Sequence, residues 1–153
     1  MPVFISHRKL DEKLAKEIHV ILTSNGIPCY IDMLDPVLKT SNEITNVIMN
    51  RIRQCTHMLA VVSDNTLTSW WVPFEIGVAS DSDKRISSFK ATAVELPTYL
   101  TIWPQMTKKE QLNDYIRIYK DDKSVFTESR NAFASINTAQ DFHDKLKRAI
   151  GQR

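Results

Sequence analysis

The stretch at residues 58–63 constrains the fold of this chain more than any other. Its side chains are apolar without alternation up to Val62, and it ends in the polar residues Ser63, Asp64 and Asn65. A strand that is apolar on both faces is typical of a parallel sheet, because helices cover both faces of such a sheet. The run therefore predicts a central parallel strand in an α/β domain.

The next stretch, residues 69–79, predicts a helix that begins near Ser69 and carries a single acidic side chain. From residue 70 onward, Glu75 is the only member of that stretch that is neither apolar nor glycine. A desolvated carboxylate without a partner costs several kcal/mol, so either a function or a structural partner must offset its burial. The structural alternative is that Glu75 caps a backbone or pairs with an arginine between two helices.

The two neighbouring tryptophans differ in their helical phase relative to Glu75. Trp71 lies four residues before Glu75, on the same face and one turn away. An aromatic wall beside an acid suits a cationic, ring-bearing ligand. Trp70 lies about a hundred degrees around the helix and is expected to pack in the core with Phe74.

Length and composition are those of one soluble globular domain, which we expect to span residues 1–153. The chain has 42% hydrophobic and 25% charged residues, as ordinary globular domains do. A net charge of +2 and the scatter of its basic residues argue against a nucleic-acid partner. No apolar run reaches membrane-spanning length, and a predicted strand begins at once, so we expect no membrane partner and a cytoplasmic location.

The cysteines, histidines and glycines limit the chemistry that the chain can support. Cys29 and Cys55 occupy apolar-face positions and are expected to be reduced core residues. No pair of histidines has metal-ligand spacing, so no metal site is expected, and His19 and His143 are expected to be solvated on helices. Three glycines in the whole chain nearly exclude a glycine-rich phosphate loop.

Strand and helix patterns alternate along the rest of the chain. Strands are predicted at residues 3–5, 27–31, 58–63 and 86–94, with a short fifth strand within 96–104. Helices are predicted at residues 10–22, 40–52, 69–79, 107–119 and 138–150. Capping boxes are predicted to open at Thr40 and Thr107, a cap at Thr138, and glycine stops at Gly26 and Gly151. The polar stretch 121–137 is expected to be a long loop.

This alternation predicts a flavodoxin-like, doubly wound parallel sheet of about five strands with helices on both faces. Ligands of such sheets bind outside the carboxyl ends of the strands, where the strand order reverses. The candidate substrate-binding residues placed there are Ser6, His7, Arg8, Asp32, Ser63 and Trp71, with Glu75 as the candidate catalytic residue.

Two common uses of this sheet do not suit the residues at its carboxyl edge. A phospho-receiver needs acids where this chain has Ser6, His7 and Ser63, and a flavin site needs a Ser/Thr/Gly-rich loop after the first strand. Cleavage of an N-glycosidic bond suits the site better. When the leaving base is already cationic, as nicotinamide is in NAD, departure needs no general acid, so one carboxylate facing the developing oxocarbenium charge can serve.

The sequence resembles the bacterial and plant enzymatic branch of the Toll/interleukin receptor (TIR) domain family. The resemblance rests on Val3-Phe4-Ile5-Ser6-His7, the strand at 26–32, the strand at 58–63 and Ser69-x-Trp71-x-x-x-Glu75. It implies that Glu75 is the catalytic residue of NAD cleavage, that Trp71 lines the nicotinamide–ribose pocket, and that the loops at 6–9 and 32–39 close over the dinucleotide. The chain lacks the receptor motifs Arg-Asp…Pro-Gly and Phe-Trp, which favours enzymatic activity over adaptor signalling.

The resemblance thus leads to a cytoplasmic NAD glycohydrolase or cyclase that uses NAD as substrate without a cofactor. It would release nicotinamide and an ADP-ribose product as a signal in bacterial anti-phage defence. The expected partners are other copies of the TIR domain and a separate effector that responds to the product. The alternatives are a non-enzymatic TIR scaffold for protein–protein interaction and an enzyme like the nucleoside deoxyribosyltransferases, which also use a glutamate on a similar sheet.

Overall fold

The computed structural model of the protein describes residues 1–31, 43–129 and 138–153, with only the backbone described at 123–129. Within these residues one parallel sheet has five strands: β1 Val3–Ser6, β2 Cys29–Ile31, β3 His57–Val62, β4 Arg85–Lys90 and β5 Gln105–Met106. Their spatial order is β2-β1-β3-β4-β5, so the order reverses between β1 and β3. This is the flavodoxin-like order, which confirms the predicted fold.

Helices cover both faces of the sheet. The described helices are α1 Glu12–Ser24, α2 Ile44–Gln54, α3 Trp71–Asp81, α4 Gln111–Ser129 and α5 Ala139–Ile150. Apolar residues of α1, α4 and α5 pack on one face, and those of α2 and α3 pack on the other. The described residues include no helix long and apolar enough to cross a membrane, and no cluster of three or more metal-ligating side chains.

Strand β3 is buried along its whole length, as its continuous apolar run predicts. Leu59 and Val61 face the core beneath α1, α4 and α5, whereas Met58, Ala60 and Val62 face α2 and α3. The two-residue period of a strand sends successive side chains to opposite faces. A strand between two helical layers therefore needs apolar residues at every position.

The predicted helix signals are confirmed at three chain positions. Gly26 and Gly151 have φ angles of 76° and 75°, in the left-handed region that favours glycine after a helix. Thr138 opens α5 with a reciprocal capping box, in which its hydroxyl accepts from the Asp141 backbone N–H at 3.2 Å. Thr40 lies outside the described residues.

Several predicted bounds were wrong, and local hydrogen bonding explains the first of them. Helix α4 does not begin with a capping box at Thr107, because the Gln111 side chain accepts from the backbone N–H groups of Thr107 and Lys108 at 2.7 and 3.1 Å. The same helix continues to Ser129, so polar residues after 121 extend an amphipathic helix whose apolar face is already anchored. Residues 130–137 of the expected loop lie outside the described part of the chain.

The predicted fourth and fifth strands and the start of the first helix also differ from the structure. Residues 98–102, whose apolar side chains suggested a strand, form a 3-10 turn, and β5 begins only after Pro104. Strand β4 ends at Lys90 instead of residue 94. Leu10 lies in a 3-10 turn before α1 and is exposed, because a residue outside the helix does not follow the helical phase of the stripe that was assigned to it.

A buried polar cluster lies at the amino edge of the sheet, opposite the carboxyl ends. His57 and Arg85, the first residues of the adjacent strands β3 and β4, both contact Asp122 Oδ2 of α4, at 3.3 and 3.0 Å. All three side chains are buried. Burial by itself would raise the pKa of Asp122, but its hydrogen bond to His57 and the charge of Arg85 hold that pKa below its usual value.

His143 of α5 is also buried at this edge, so the prediction that it is solvated was wrong. Its Nε2 accepts a hydrogen bond from the Ile86 backbone N–H at 2.9 Å, which requires that nitrogen to be unprotonated. Burial, with the nearby charges of Lys147 and Arg85, lowers the pKa of His143 to about 4. Burial likewise lowers the pKa of His57. Both histidines are therefore neutral structural residues at neutral pH.

These neutral histidines predict a loss of stability in mild acid. Below the unfolded-state pKa of 6.5 the unfolded chain binds protons that the folded chain excludes, down to about pH 4 for His143. The free energy of unfolding should fall by up to ~1.4 kcal/mol per pH unit for each such histidine. Urea unfolding at several pH values gives the free energy of unfolding as a function of pH. Between pH 6.5 and 4 this free energy should fall less steeply for His143→Gln than for the wild type or for His19→Gln. Equal slopes in all three would contradict this account.

The two cysteines have the environment that the sequence predicts. Both are free thiols, with Cys55 buried and Cys29 half-buried. Burial raises the pKa of Cys29 to about 12 and that of Cys55 to about 11. Thiols with such pKa values remain protonated at neutral pH and behave as small apolar core residues.

Candidate active site

The candidate site is built around a hydrogen bond between the end of β1 and helix α3. Ser6, the last residue of β1, donates its hydroxyl hydrogen to Glu75 Oε2. Both side chains are fully buried, with 0% of their surface exposed. The contact lies at the carboxyl edge of the sheet, beside the point where the strand order reverses.

Helical phase explains why the acid lies inside the protein. The buried residues of α3 are Val72, Glu75, Ile76 and Ala79, spaced by three and four positions. This is the apolar stripe of a core-facing helix, and Glu75 occupies one of its positions. The Ser69 hydroxyl accepts from the Val72 backbone N–H at 3.3 Å and so caps the first turn. The predicted burial of Glu75 is confirmed.

An open cleft of about 410 Å³ lies at the carboxyl edge of the sheet, next to Ser6 and Glu75. The described residues that line it are His7, Arg8, Lys9, Ile44, Thr68, Ser69, Trp70 and Trp71. The indole of Trp71 packs at 5.4 Å from the Phe74 ring, with 33° between the ring planes. The cleft thus has an aromatic wall and cationic side chains. Glu75 is not among its described lining residues, so a ligand must displace part of the lining to touch the carboxylate.

Trp70 is 92% exposed, and the prediction that it packs in the core with Phe74 was wrong. Helix α3 begins at Trp71, so Trp70 is the residue before the first helical position. The helical-phase argument therefore does not apply to its side chain. Trp71 takes the place beside Phe74 instead.

Ser63 belongs to a hydrogen-bond network that joins the first and third loops of this edge. Its hydroxyl donates to Asp11 Oδ2 at 2.7 Å and accepts from the Asn65 backbone N–H at 3.1 Å. Asn65 Nδ2 donates to the other oxygen of Asp11 at 3.1 Å. The Ser63 hydroxyl is thus engaged in holding the loops together, which makes a positioning role fit it better than a direct substrate contact.

Arg8 ties the same two loops together from the cleft side. Its Nη1 donates to the backbone carbonyl of Asn65 and to the hydroxyl of Thr68. A guanidinium has five N–H donors, so these contacts at one nitrogen leave others to face a phosphate. A phosphate contact at Arg8 remains a prediction.

The structure brings most of the candidate residues to one edge. Ser6 and Glu75 are in contact, and His7, Arg8 and Trp71 line the adjoining cleft. Asp32 and the loop at 32–39 lie outside the described residues. Sequence reasoning missed Asp11, which is buried in the Ser63 network. The only sequence feature that could have indicated Asp11 is its position as an acidic residue directly before α1.

The chain is similar to known proteins in sequence and in fold. A Bacillus cereus (strain MSX-D12) protein called probable 3' cyclic ADP-D-ribose synthase ThsB' is 22% identical over 121 residues, which are 72% of this chain and 63% of that protein. The match therefore spans less than two thirds of that relative.

Two solved structures share the fold at low sequence identity. The TIR domain of the Toll-related receptor TRR-2 from Hydra magnipapillata has a TM-score of 0.62 at 16% identity, covering 78% of this chain and 95% of the other. A 2-deoxyribosyltransferase from Bacillus psychrosaccharolyticus has a TM-score of 0.63 at 13% identity, with 75% and 92% covered. The family model of the TIR domain matches residues 3–123, and the chain belongs to the TIR domain family.

Proposed function

We propose that this TIR domain cleaves the bond between nicotinamide and ribose in NAD, with Glu75 as the catalytic residue. The observation that carries the proposal is the fully buried Glu75 carboxylate, hydrogen-bonded by Ser6 at the ligand-binding edge of the sheet and one helical turn from Trp71. A buried carboxylate is costly to maintain, and such costs are found where function requires them.

The chemistry follows from the charge of the leaving group. When the bond between ribosyl C1′ and the nicotinamide nitrogen breaks, its electron pair neutralises the pyridinium and leaves an oxocarbenium ion. The Glu75 carboxylate would face this positive charge in a site of low dielectric constant, where a fixed opposite charge is most effective. Attack by water on C1′ then gives ADP-ribose, and the carboxylate accepts the proton that the water loses.

The Ser6 hydroxyl has a positioning role in this scheme. By donating to Oε2 it fixes the orientation of the carboxylate. Trp71 would face the cationic nicotinamide ring, since the face of an indole attracts cations. The cleft offers room for a ligand beside Trp71, and the ligand reaches the buried Glu75 carboxylate only when part of the lining moves.

The product is a finer part of the proposal. The relative from Bacillus cereus is named as a cyclic ADP-ribose synthase, which favours capture of C1′ by a nucleophile of the same molecule over capture by water alone. A cleft that excludes water would promote this outcome. We further propose, as the resemblance implied, a role in bacterial anti-phage defence in the cytoplasm, with self-association through TIR surfaces and a separate effector that responds to the product.

The test is incubation of the purified protein with NAD, followed by quantification of nicotinamide and mass spectrometry of the protein-free filtrate. We expect nicotinamide in equal amount to the NAD consumed, together with a cyclised ADP-ribose. Plain ADP-ribose alone would support cleavage and exclude cyclisation. Absence of nicotinamide would favour the non-enzymatic scaffold, and base exchange on deoxynucleosides would favour a deoxyribosyltransferase.

Replacement of Trp71 tests the aromatic wall. We expect Trp71→Ala to raise the KM for NAD about 5- to 30-fold, the range that corresponds to ~1–2 kcal/mol of cation–π attraction. Its melting temperature should also fall, because the indole packs on Phe74. Trp70→Ala should change the free energy of unfolding by less than ~0.5 kcal/mol, since that side chain is exposed. An unchanged KM in Trp71→Ala would remove Trp71 from the site.

A further inference from the structure

The exposed indole of Trp70 is a feature that the proposed chemistry at Glu75 does not use. Its side chain is 92% exposed, more than any other large apolar side chain among the described residues. It nevertheless belongs to the lining of the cleft that also contains Trp71. An exposed aromatic ring in the wall of a cleft is a surface on which a planar ligand group can stack.

The charge of the cleft indicates which kind of ligand fits beside this ring. Arg8 and Lys9 line the same cleft, and no acidic side chain is among its described lining residues. A ligand with an anionic group for Arg8 and Lys9, and with a flat ring for the Trp70 indole, matches this arrangement. A nucleotide has both parts, and stacking of its base on an aromatic side chain does not require base-specific hydrogen bonds.

The positions of the two tryptophans in the chain show where the exposed ring of Trp70 lies relative to Glu75. Trp71 and Trp70 are adjacent residues, with Cα atoms about 3.8 Å apart. Trp71 is half-buried and packs against Phe74 on the helix that holds Glu75, whereas the Trp70 side chain is exposed just before that helix begins. A dinucleotide whose reacting half lies at Trp71 therefore has its other half directed toward the exposed part of the cleft.

We propose that Trp70 is the stacking platform for the adenine ring of the dinucleotide, with Arg8 and Lys9 beside the pyrophosphate. The proposal rests on the proposed function, because it assumes that the nicotinamide half occupies the Trp71 end. Trp70 is then a specificity-determining residue that selects dinucleotides over fragments without the purine.

The test is a binding measurement that does not depend on bond cleavage. Isothermal titration calorimetry of the full chain with ADP-ribose and with ribose 5-phosphate would compare the wild type with Trp70→Ala, Trp70→Phe and Leu67→Ala. Leu67 is a matched control, because it is 60% exposed in the neighbouring 3-10 turn and is not among the described lining residues. Melting temperatures of all variants confirm that each is folded.

We expect Trp70→Ala to raise the Kd for ADP-ribose about 5- to 150-fold, the range for loss of one base–aromatic stack. Trp70→Phe should retain most of the affinity, Leu67→Ala should match the wild type, and ribose 5-phosphate should bind all four proteins alike. An unchanged Kd in Trp70→Ala, an equal loss for both ligands, or no binding of ADP-ribose to the wild type would overturn the proposal. So would a change in oligomeric state, measured by sedimentation, without a change in Kd.

The binding measurement and the nicotinamide assay can fail independently of each other. If the wild type releases no nicotinamide but Trp70→Ala still weakens ADP-ribose binding, the nucleotide subsite stands and NAD cleavage fails. If nicotinamide is released and the Kd is unchanged, cleavage stands and the adenine platform fails.

Discussion

Glu75→Gln should reduce nicotinamide release from NAD by at least ~100-fold, the scale of effect for removing one preorganised electrostatic group. Glutamine keeps the shape of the side chain and can still accept the Ser6 hydrogen bond, but it does not carry the charge that faces the oxocarbenium ion. Because a neutral amide is less costly to bury than a carboxylate, the melting temperature should stay the same or rise. Initial rates and thermal unfolding check both parts.

The matched control is Glu17→Gln. Glu17 is partly exposed and pairs with Lys109 at 2.7 Å on the surface, so its replacement should leave turnover unchanged. Full turnover in Glu75→Gln would contradict the catalytic assignment. A large fall in its melting temperature would instead indicate that Glu75 is a structural cap or ion-pair partner.

Asp122→Asn should lower the free energy of unfolding by about 3–5 kcal/mol, the usual effect of breaking a buried ion pair. The substitution removes the negative charge that faces Arg85 and His57 inside the protein, at 3.0 and 3.3 Å. The loss should appear in urea unfolding, with little change in the KM for NAD because the cluster lies at the opposite edge of the sheet from the cleft.

Asp114→Asn provides the comparison for this prediction. Asp114 lies on the same helix and pairs with Arg117 at 3.2 Å, but both side chains are substantially exposed. Exposed pairs of this kind contribute ~0–1 kcal/mol. Equal small effects from both substitutions would show that the buried cluster does not anchor α4 on the sheet.

The fold could be predicted from the sequence because its central elements satisfy several physical rules at once. The run at 58–63 needs helices on both sides, and Gly26 and Gly151 have the left-handed conformation expected after a helix. Segments with weaker constraints were predicted less well. Residues 98–102 suggested a strand, but they form a 3-10 turn in which only Leu100 is buried.

Individual residues of the candidate site could be predicted better than the contacts between them. Glu75 was identifiable because an acid in an apolar helix is unusual, and the structure places it on the core-facing stripe beside Ser6. The position of Trp70 depends on where the helix begins, and sequence patterns define helix ends less well than helix interiors. Asp11 and Ser63 meet across 52 residues of sequence, a contact that no local pattern indicates.

The most direct test of the central claim is a crystal structure of the protein with an uncleavable NAD analogue. We predict that ribosyl C1′, the carbon bonded to the nicotinamide, lies about 3.5 Å from a Glu75 carboxylate oxygen, the distance of a productive complex. The nicotinamide ring should lie against Trp71. An analogue bound elsewhere, or bound in the cleft with Glu75 still sealed from it, would contradict the assignment of Glu75 as the catalytic residue.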